Sequence, residues 1–353
     1  MENPIPESRA STSLNKRRQQ TADGRQQNNL VWLDGLIRGL RVCGLWSVVC
    51  LSLLSGCGPK YTYPADTVPK SIEKICKEEY KIDVTARVVG KTVGALVYID
   101  SIMDPKGQVP REVNEVMGKV LMVVTRVALS TDLPVEYCTV LIRDKEHSSE
   151  LVIIRSLDDT KRANADAIGI EESINRTLLG QAKFETSPTG EHPFVLKEVR
   201  KENFLADQMV QRIRLDFSKD AKDDADRSLV LVDGAFENID GKRAFRFSVI
   251  ALKAMDSREL ILSIFKVING VLAGYQFTEF GTVEIQDYLN RQKLVLDRQT
   301  VLDFQTKKIS EAQLLDRFLI ESQSIQEAFK LFGFNLPPDS NDQDTGLAAK
   351  PTP

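Results

Sequence analysis

Cysteine is the residue type in this chain whose positions point most clearly to chemistry. The 353 residues include five cysteines, at positions 43, 50, 57, 76 and 138. Cys57 follows Leu54, Ser55 and Gly56, and the two small residues would let an extended backbone enter a peptidase site. The Cys57 thiol is the only nearby nucleophile that can form a thioether. Covalent modification of Cys57 is therefore the first chemistry to consider.

The segment before Cys57 has the composition of an export signal. Residues 42–54 form an uncharged, mostly apolar run of 13 residues. Such a run falls within the ~7–15 residues of a secretory hydrophobic region and is shorter than the ~20 needed to span a bilayer. Residues 1–56 carry seven basic and four acidic side chains, whereas the whole chain has a net charge of −3. A basic leader thus precedes an acidic body.

In this context, Leu54-Ser55-Gly56-Cys57 resembles the lipobox of bacterial lipoproteins. The resemblance implies cleavage by signal peptidase II between Gly56 and Cys57, a diacylglyceryl group on the Cys57 sulfur and acylation of the freed amine. Two or three acyl chains would anchor the protein stably in a membrane. The residue after the cysteine is Gly58 and not aspartate, which by the same resemblance favours the outer membrane, with the folded part facing the periplasm. The alternative is a signal anchor or buried apolar helix that contains a cysteine by chance.

Two further features bear on this interpretation. The leader before Arg38 is long and polar, and initiation near Leu30 or Val31 would leave a compact signal peptide. After the cysteine, Tyr61-Thr62-Tyr63-Pro64 followed by Lys77-Glu78-Glu79-Tyr80 resembles bacterial lipoproteins of uncharacterised function. This second resemblance implies no activity.

Cys76 and Cys138 would be the cysteines that stay in the exported protein as free or paired thiols. An oxidising compartment permits a disulfide between them. Each also lies in an apolar pattern, one on a predicted helix and one on a predicted strand, so the two could equally pack as separate buried thiols. Neither has the exposed, basic surroundings of a reactive thiol. We therefore expect no catalytic or metal-binding role for either.

No other residues form a recognisable catalytic or cofactor site. His147 lies in a charged turn and His192 in a polar linker, and no histidine or cysteine spacing matches a zinc site. The acidic run 220–226 lacks the glycine and closing glutamate of a calcium loop. Glycine motifs for phosphates, dinucleotides or a serine nucleophile do not occur. We expect no enzyme activity, cofactor or metal, and the acidic balance argues against nucleic acid as a partner.

Hydrophobic periodicity predicts an α+β fold built from two similar modules. Each module would have a helix–hairpin–helix–strand order, with amphipathic helices on a mainly antiparallel sheet, and C-terminal helices would follow. In the first half we predict a helix from about residue 69, a hairpin over 82–99, a helix over 111–129, strands over 135–142 and 151–154, and a polar helix over 160–179. In the second half we predict a helix over 203–215, hairpin strands over 229–236 and 244–252, a helix over 258–273 capped by Ser257, a strand over 282–285, and a helix that starts after Ser310 and ends near Gly333.

The two halves can be aligned residue by residue. The apolar pattern of 116–128 recurs in 260–272, and strand residues 139–144 match 282–287. The predicted organisation is a signal peptide with a long leader (1–56), a lipid-anchored tether (57–66), module 1 (67–182), a linker (183–194), module 2 with C-terminal helices (195–335) and a disordered tail (336–353). A chance match between two amphipathic segments is the alternative to duplication.

These features predict a membrane-anchored envelope lipoprotein that acts as a scaffold or assembly partner for another envelope protein. Its partners would be membrane lipid, through acylated Cys57, and a protein of unknown identity. The alternative function is a periplasmic module that binds a lipid or small ligand, since a helix-on-sheet fold can open an apolar cleft.

Overall fold

The computed structural model describes residues 61–144, 149–183, 193–219, 230–252 and 255–321, and both modules belong to one compact unit. Module 1 begins after a 3₁₀ turn, Ala65–Thr67. Its elements are α1 (Val68–Tyr80), β1 (Val84–Val89), β2 (Thr92–Ile99), α2 (Arg111–Leu129), β3 (Tyr137–Asp144), β4 (Ser149–Ser156), α3 (Leu157–Asn164), α4 (Ile170–Asn175) and β5 (Leu178–Lys183). Those of module 2 are α5 (Lys201–Lys219), β6 (Val230–Ile239), β7 (Lys242–Ala251), α6 (Ser257–Gly274), β8 (Thr282–Asp287), β9 (Gln292–Asp297), α7 (Arg298–Gln305), α8 (Glu311–Phe318) and β10 (Leu319–Glu321).

The two modules share one topology. Each has a five-stranded sheet, ordered β1-β2-β3-β4-β5 in module 1 and β10-β9-β8-β7-β6 in module 2. In each sheet the second and third strands of the module pair in parallel, and the other neighbours are antiparallel. A parallel pair needs a crossover connection, and α2 and α6 supply it at equivalent points of the chain. The predicted α+β class, with helices on mainly antiparallel sheets, is confirmed.

An equivalent aspartate ends the third strand of each module. Asp144 and Asp287 are both buried, and each accepts a hydrogen bond near the start of the crossover connection: Asp144 from the loop before α2, and Asp287 from the first residue of α6. The Ile102 amide donates to the Asp144 carboxylate over 3.0 Å, and the Ser257 hydroxyl donates to Asp287 over 2.6 Å. The aligned segments 139–144 and 282–287 therefore end in the same position and have a similar structural role.

Local sequence explains where several elements begin and turn. Ser156 caps α3 and Asp297 caps α7, each by accepting a backbone N–H three residues on. Ser310 and Gln313 form the predicted capping box at α8. Between β6 and β7, Asp240 and Gly241 both have positive φ, as a tight two-residue hairpin requires.

Each sheet buries one face under its own helices. The module 1 core joins α1 and α2 to the inner side of sheet β1–β5, with Ile72, Cys76, Val120 and Val124 among its buried residues. The larger module 2 core joins α5 and α6 to sheet β6–β10. On the outer face of the first sheet, Phe194 and Leu196 pack against Leu96 and Leu141. Part of the predicted linker thus packs as a structural segment of module 1.

Several predicted elements are wrong. The polar helix predicted over 160–179 is replaced by α3, α4 and edge strand β5, because pairing with β4 outweighs the local helical preference of residues 178–179. The helix after Ser310 ends at Phe318, because Leu319–Glu321 pairs with β9. Ser257 does not cap α6; Asp256 does, by accepting from the Arg258 and Glu259 amides. Strand β9 and helix α7 had no counterpart in the prediction.

None of the helices in the described ranges combines the length and the apolar character needed to cross a membrane.

Candidate functional site

Several predicted site residues lie outside the described residues. They are the whole lipobox, Leu54, Ser55, Gly56 and Cys57. His147, His192 and the acidic run 220–226, for which no site role was predicted, also lie outside the described residues. The structure therefore bears on the remaining predicted site residues, Cys76 and Cys138.

Cys76 and Cys138 are separate thiols in the structure, and both are buried. Burial raises the pKa of the Cys76 thiol to about 11 and that of Cys138 to about 12. A thiol with so high a pKa is protonated at neutral pH and is a poor nucleophile. Of the two interpretations left open by the sequence, the structure has the buried free thiols and not the disulfide.

The two modules are joined by a partly buried network of charges that the sequence did not predict. We call Asp159, Glu172, Arg176, Arg212 and Tyr275 the module joint. Arg176 donates to Asp159 over 2.8 Å and to Glu172 over 2.6 Å, and both Arg176 and Asp159 are buried. From module 2, the Tyr275 hydroxyl donates to Asp159 over 2.6 Å and Arg212 donates to Glu172 over 2.9 Å. Each carboxylate of module 1 is thus held by a residue from each module.

Aromatic rings complete the module joint. The Arg176 guanidinium carbon lies 4.7 Å from the Tyr275 ring centre, within the range of a cation–π contact. Phe204 packs at 5.1 Å from the Tyr137 ring and at 6.0 Å from the Tyr275 ring. Tyr137 and Leu178 of module 1 belong to the module 2 core. The modules are therefore held together by apolar packing as well as by ion pairs.

A cleft of about 600 Å³ lies beside this joint, and we call it the inter-module groove. Helix α5 contributes one side of it, the outer face of strands β4 and β5 a second, and strand β6 a third. Its lining residues are Val152, Ile154, Leu178, Leu179, Gly180, Asp207, Val210, Gln211, Arg214, Leu215, Ser218, Asp233 and Gly234. Leu179 is 56% exposed and Leu215 42% exposed, so the groove offers apolar side chains to solvent.

Two aspartates give the groove an acidic character. Partial burial and the neighbouring Asp233 raise the pKa of Asp207, and Arg214 opposes this shift. The Arg214 guanidinium also donates to the Val232 carbonyl over 2.8 Å. One arginine therefore faces two carboxylates, and the ionised groove is one positive charge short of neutrality.

The groove is also bordered by the edges of both sheets, since β5 and β6 are terminal strands in their strand orders. The Leu179 amide points away from β4, because it donates to the Gln211 side chain over 3.0 Å. The Val232 carbonyl points away from β7, towards Arg214. Residues two apart on a strand share an orientation, so the backbone groups of Gly234 also point outwards. Within the described residues, no hydrogen bond satisfies those groups of Gly234.

A second cleft, of about 630 Å³, opens beside Tyr137 and Tyr275, but two of its cations already have partners. Arg162 donates to the Gly274 carbonyl over 3.4 Å, and the Lys201 ammonium lies 5.8 Å from the Phe277 ring centre. The inter-module groove, with its outward-facing backbone and unbalanced charge, is the better candidate site.

The groove is only weakly indicated in the sequence. Asp207, Gln211 and Arg214 repeat at helical spacing on α5, outside the apolar stripe assigned to the core, and such a polar stripe is usually solvated. Among the described ranges of the chain, no cluster of histidine, cysteine or acidic residues is arranged to hold a metal ion. The groove therefore offers hydrogen bonding, charge and apolar contact as its means of binding.

Comparison with protein-family models and with curated proteins found no match for this chain. Among solved structures, it matches the crystal structure of a sex pheromone staph-cAM373 precursor at 8% identity, over 67% of this chain and 79% of that one. The TM-score is 0.18, which is too low to support a conclusion about fold or function.

Proposed function

We propose that this protein is a lipid-anchored component of the bacterial cell envelope that acts without catalysis, as a scaffold or assembly partner. In this proposal Cys57 carries the lipid and the inter-module groove receives a segment of another envelope protein. The main support for this proposal is the groove itself. Two sheet edges border it, it has exposed apolar side chains and an unbalanced charge, and it lies beside a joint that the buried Arg176–Asp159 ion pair stabilises. Sites that bind macromolecular partners commonly combine such features.

The anchoring part is tested by comparing wild type with Cys57→Ala in a bacterial host. We expect the wild type to fractionate with membranes and to incorporate labelled palmitate, and we expect Cys57→Ala to do neither. Mass spectrometry of the mature N-terminus gives the acyl chains directly. A wild-type protein that is unacylated and free in the periplasm would contradict the proposal.

The binding part is tested with a photocrosslinking residue at Leu179, in the groove, and a matched one at Met122, an exposed position of α2 outside it. We expect a discrete protein adduct in intact cells from position 179 and none from position 122. Introducing Gly180→Leu beside the probe should remove the adduct. An adduct that forms equally from both positions would count against the groove.

The lipid-binding alternative predicts a different result from the same strains. If the groove holds a lipid, native mass spectrometry of the purified protein will show a retained ligand. Position 179 would then give no protein adduct. That combination would replace the scaffold function with the ligand-binding one.

A further inference from the structure

We infer that the occupant of the inter-module groove is an extended, basic segment of a partner protein, which adds its backbone to a sheet edge and places a lysine or arginine beside Asp207 and Asp233. The inference rests on the proposed function and adds the conformation and charge of the partner segment. Backbone, charge and available space support it separately.

The backbone evidence is that two strand edges border one groove. Strands β5 and β6 each pair on one side only. On β5, Gln211 already bonds the outward Leu179 amide and the Thr177 carbonyl, so the backbone groups open to a partner are those of Gly234 on β6. An unpaired edge is a template for another extended chain, which satisfies these groups with main-chain hydrogen bonds. A helical segment satisfies its own backbone internally and would leave the edge groups unpaired. An extended occupant therefore matches the groove better.

The charge evidence concerns the two aspartates and the single arginine. Arg214 is the one cation among the described lining residues of the groove, so Asp207 and Asp233 share a single positive charge. A cationic side chain from the partner would supply the missing positive charge. Bringing an acidic segment into the same groove would add a third carboxylate, which like-charge repulsion disfavours. Charge complementarity thus selects a basic partner.

The space evidence comes from Gly180, which lies on β5 and lines the groove. A Cβ atom added at Gly180 would meet nothing within 4 Å. The face of strand β5 is therefore open above Gly180, and a side chain placed there would project into the groove. The same observation means that a larger residue at position 180 would fill the groove without disturbing the packing beneath it.

The test uses the full chain in detergent and three fluorescent seven-residue peptides. One alternates valine with lysine, one alternates valine with glutamate, and the third is the lysine peptide with alternate backbone amides methylated. Fluorescence anisotropy gives the affinity of each. We expect the lysine peptide to bind and the other two to bind at least about tenfold more weakly, equivalent to about 1.4 kcal/mol.

Variants of the protein show where the lysine peptide binds. We expect Gly180→Leu and the double variant Asp207→Asn/Asp233→Asn each to lower the affinity for the lysine peptide by about tenfold or more. Gly118→Leu is the matched control, because Gly118 is an exposed glycine of α2 whose added Cβ also meets nothing within 4 Å. It should leave binding unchanged. Thermal unfolding confirms that each variant is folded.

Each outcome supports or overturns one part of the inference. Equal binding of the lysine and glutamate peptides would overturn the inference that the partner segment is basic. If the methylated peptide bound as tightly as the unmethylated lysine peptide, strand addition would be overturned. Unchanged binding by Gly180→Leu would place the peptide outside the groove. If these tests fail while the adduct from position 179 still forms, the inference is wrong and the proposed function stands. If the adduct also fails to form, both are wrong.

Discussion

Arg176 makes the most consequential side-chain contacts in the described part of the chain. Its guanidinium contacts two carboxylates of its own module and the Tyr275 ring of the other. Burial alone would lower its pKa, but the hydrogen bonds that it donates to Glu172 and Asp159 raise it, so the charge is retained inside the joint. A buried pair of this kind is costly to break, because the remaining partner is left as an uncompensated charge.

We therefore predict that Arg176→Ala lowers the free energy of unfolding by about 3–5 kcal/mol, because it leaves the buried Asp159 carboxylate without its arginine partner. Arg258→Ala is the control, because Arg258 and Asp316 form an exposed pair, and exposed pairs contribute less than about 1 kcal/mol. Urea unfolding of both variants provides the measurement. Equal losses in the two variants would show that the joint does not depend on Arg176.

A second residue-scale prediction concerns Glu172 and acid. Burial would raise its pKa, but the hydrogen bonds from Arg212 and Arg176 together bring it below its ordinary value of 4.5. A carboxyl with a lowered folded-state pKa stabilises the protein above its unfolded pKa and loses this contribution as pH falls through the folded pKa. We expect wild type to be more stable than Glu172→Gln at pH 7 and the difference to shrink below pH 4.5. A difference that does not vary between pH 7 and pH 3 would contradict this.

At the scale of elements, the two edge strands differ in how they use glycine. Gly180 on β5 faces open space, whereas a Cβ at Gly234 on β6 would lie 2.3 Å from the Phe247 ring and 3.0 Å from Val210. Glycine at position 234 lets α5 and β7 pack closely at the edge of the second sheet. The same residue type thus leaves space for a partner on one strand and permits core packing on the other.

We predict that Gly234→Ala destabilises the protein by about 1–3 kcal/mol through overpacking. Gly180→Ala should change stability by less than about 0.5 kcal/mol, as expected for a surface substitution away from packed features. Chemical denaturation of the two alanine variants is a direct comparison, because the chemical change is identical. If Gly234→Ala proved as stable as Gly180→Ala, the close packing of β6 would be in doubt.

At the scale of the whole molecule, the modules depend on one another despite having separate sheets. Tyr137 and Leu178 of module 1 are buried in the module 2 core, and Phe194 and Leu196, which precede α5, are buried on the outer face of sheet β1–β5. Separation would expose these apolar side chains together with the charges of the module joint. Shared burial of this kind makes the pair a single cooperative unit.

We predict that residues 57–192 and 193–353, expressed as two chains in one cell, assemble and co-purify. The complex should survive size-exclusion chromatography, and Arg176→Ala should weaken it. Residues 57–192 expressed alone should be less soluble, because the outer face of the sheet is then uncovered. Two fragments that each fold and elute separately would show that the joint is not needed.

The sequence by itself determined the α+β class, the two-module organisation and most helices and hairpins. It could do so because amphipathic periodicity and turn chemistry are local properties of the chain, as the capping box at Ser310 and the hairpin at Asp240–Gly241 illustrate. The lipid anchor at Cys57 is likewise a sequence-level prediction and remains one. The alignment of residues 139–144 with 282–287 was visible for the same reason.

The tertiary structure alone decided the features that depend on pairing between distant segments. The start of strand β5, residues 178–179, was predicted as the end of a helix, and β10 as part of another, because short strands are specified by the neighbours they pair with and have little pattern of their own. The contacts of Arg176 and Tyr275, and the meeting of Asp207 with Asp233, join residues whose separation in sequence has no periodicity to reveal it. The module joint and the inter-module groove exist only once both sheets are in place, since packing between modules creates them.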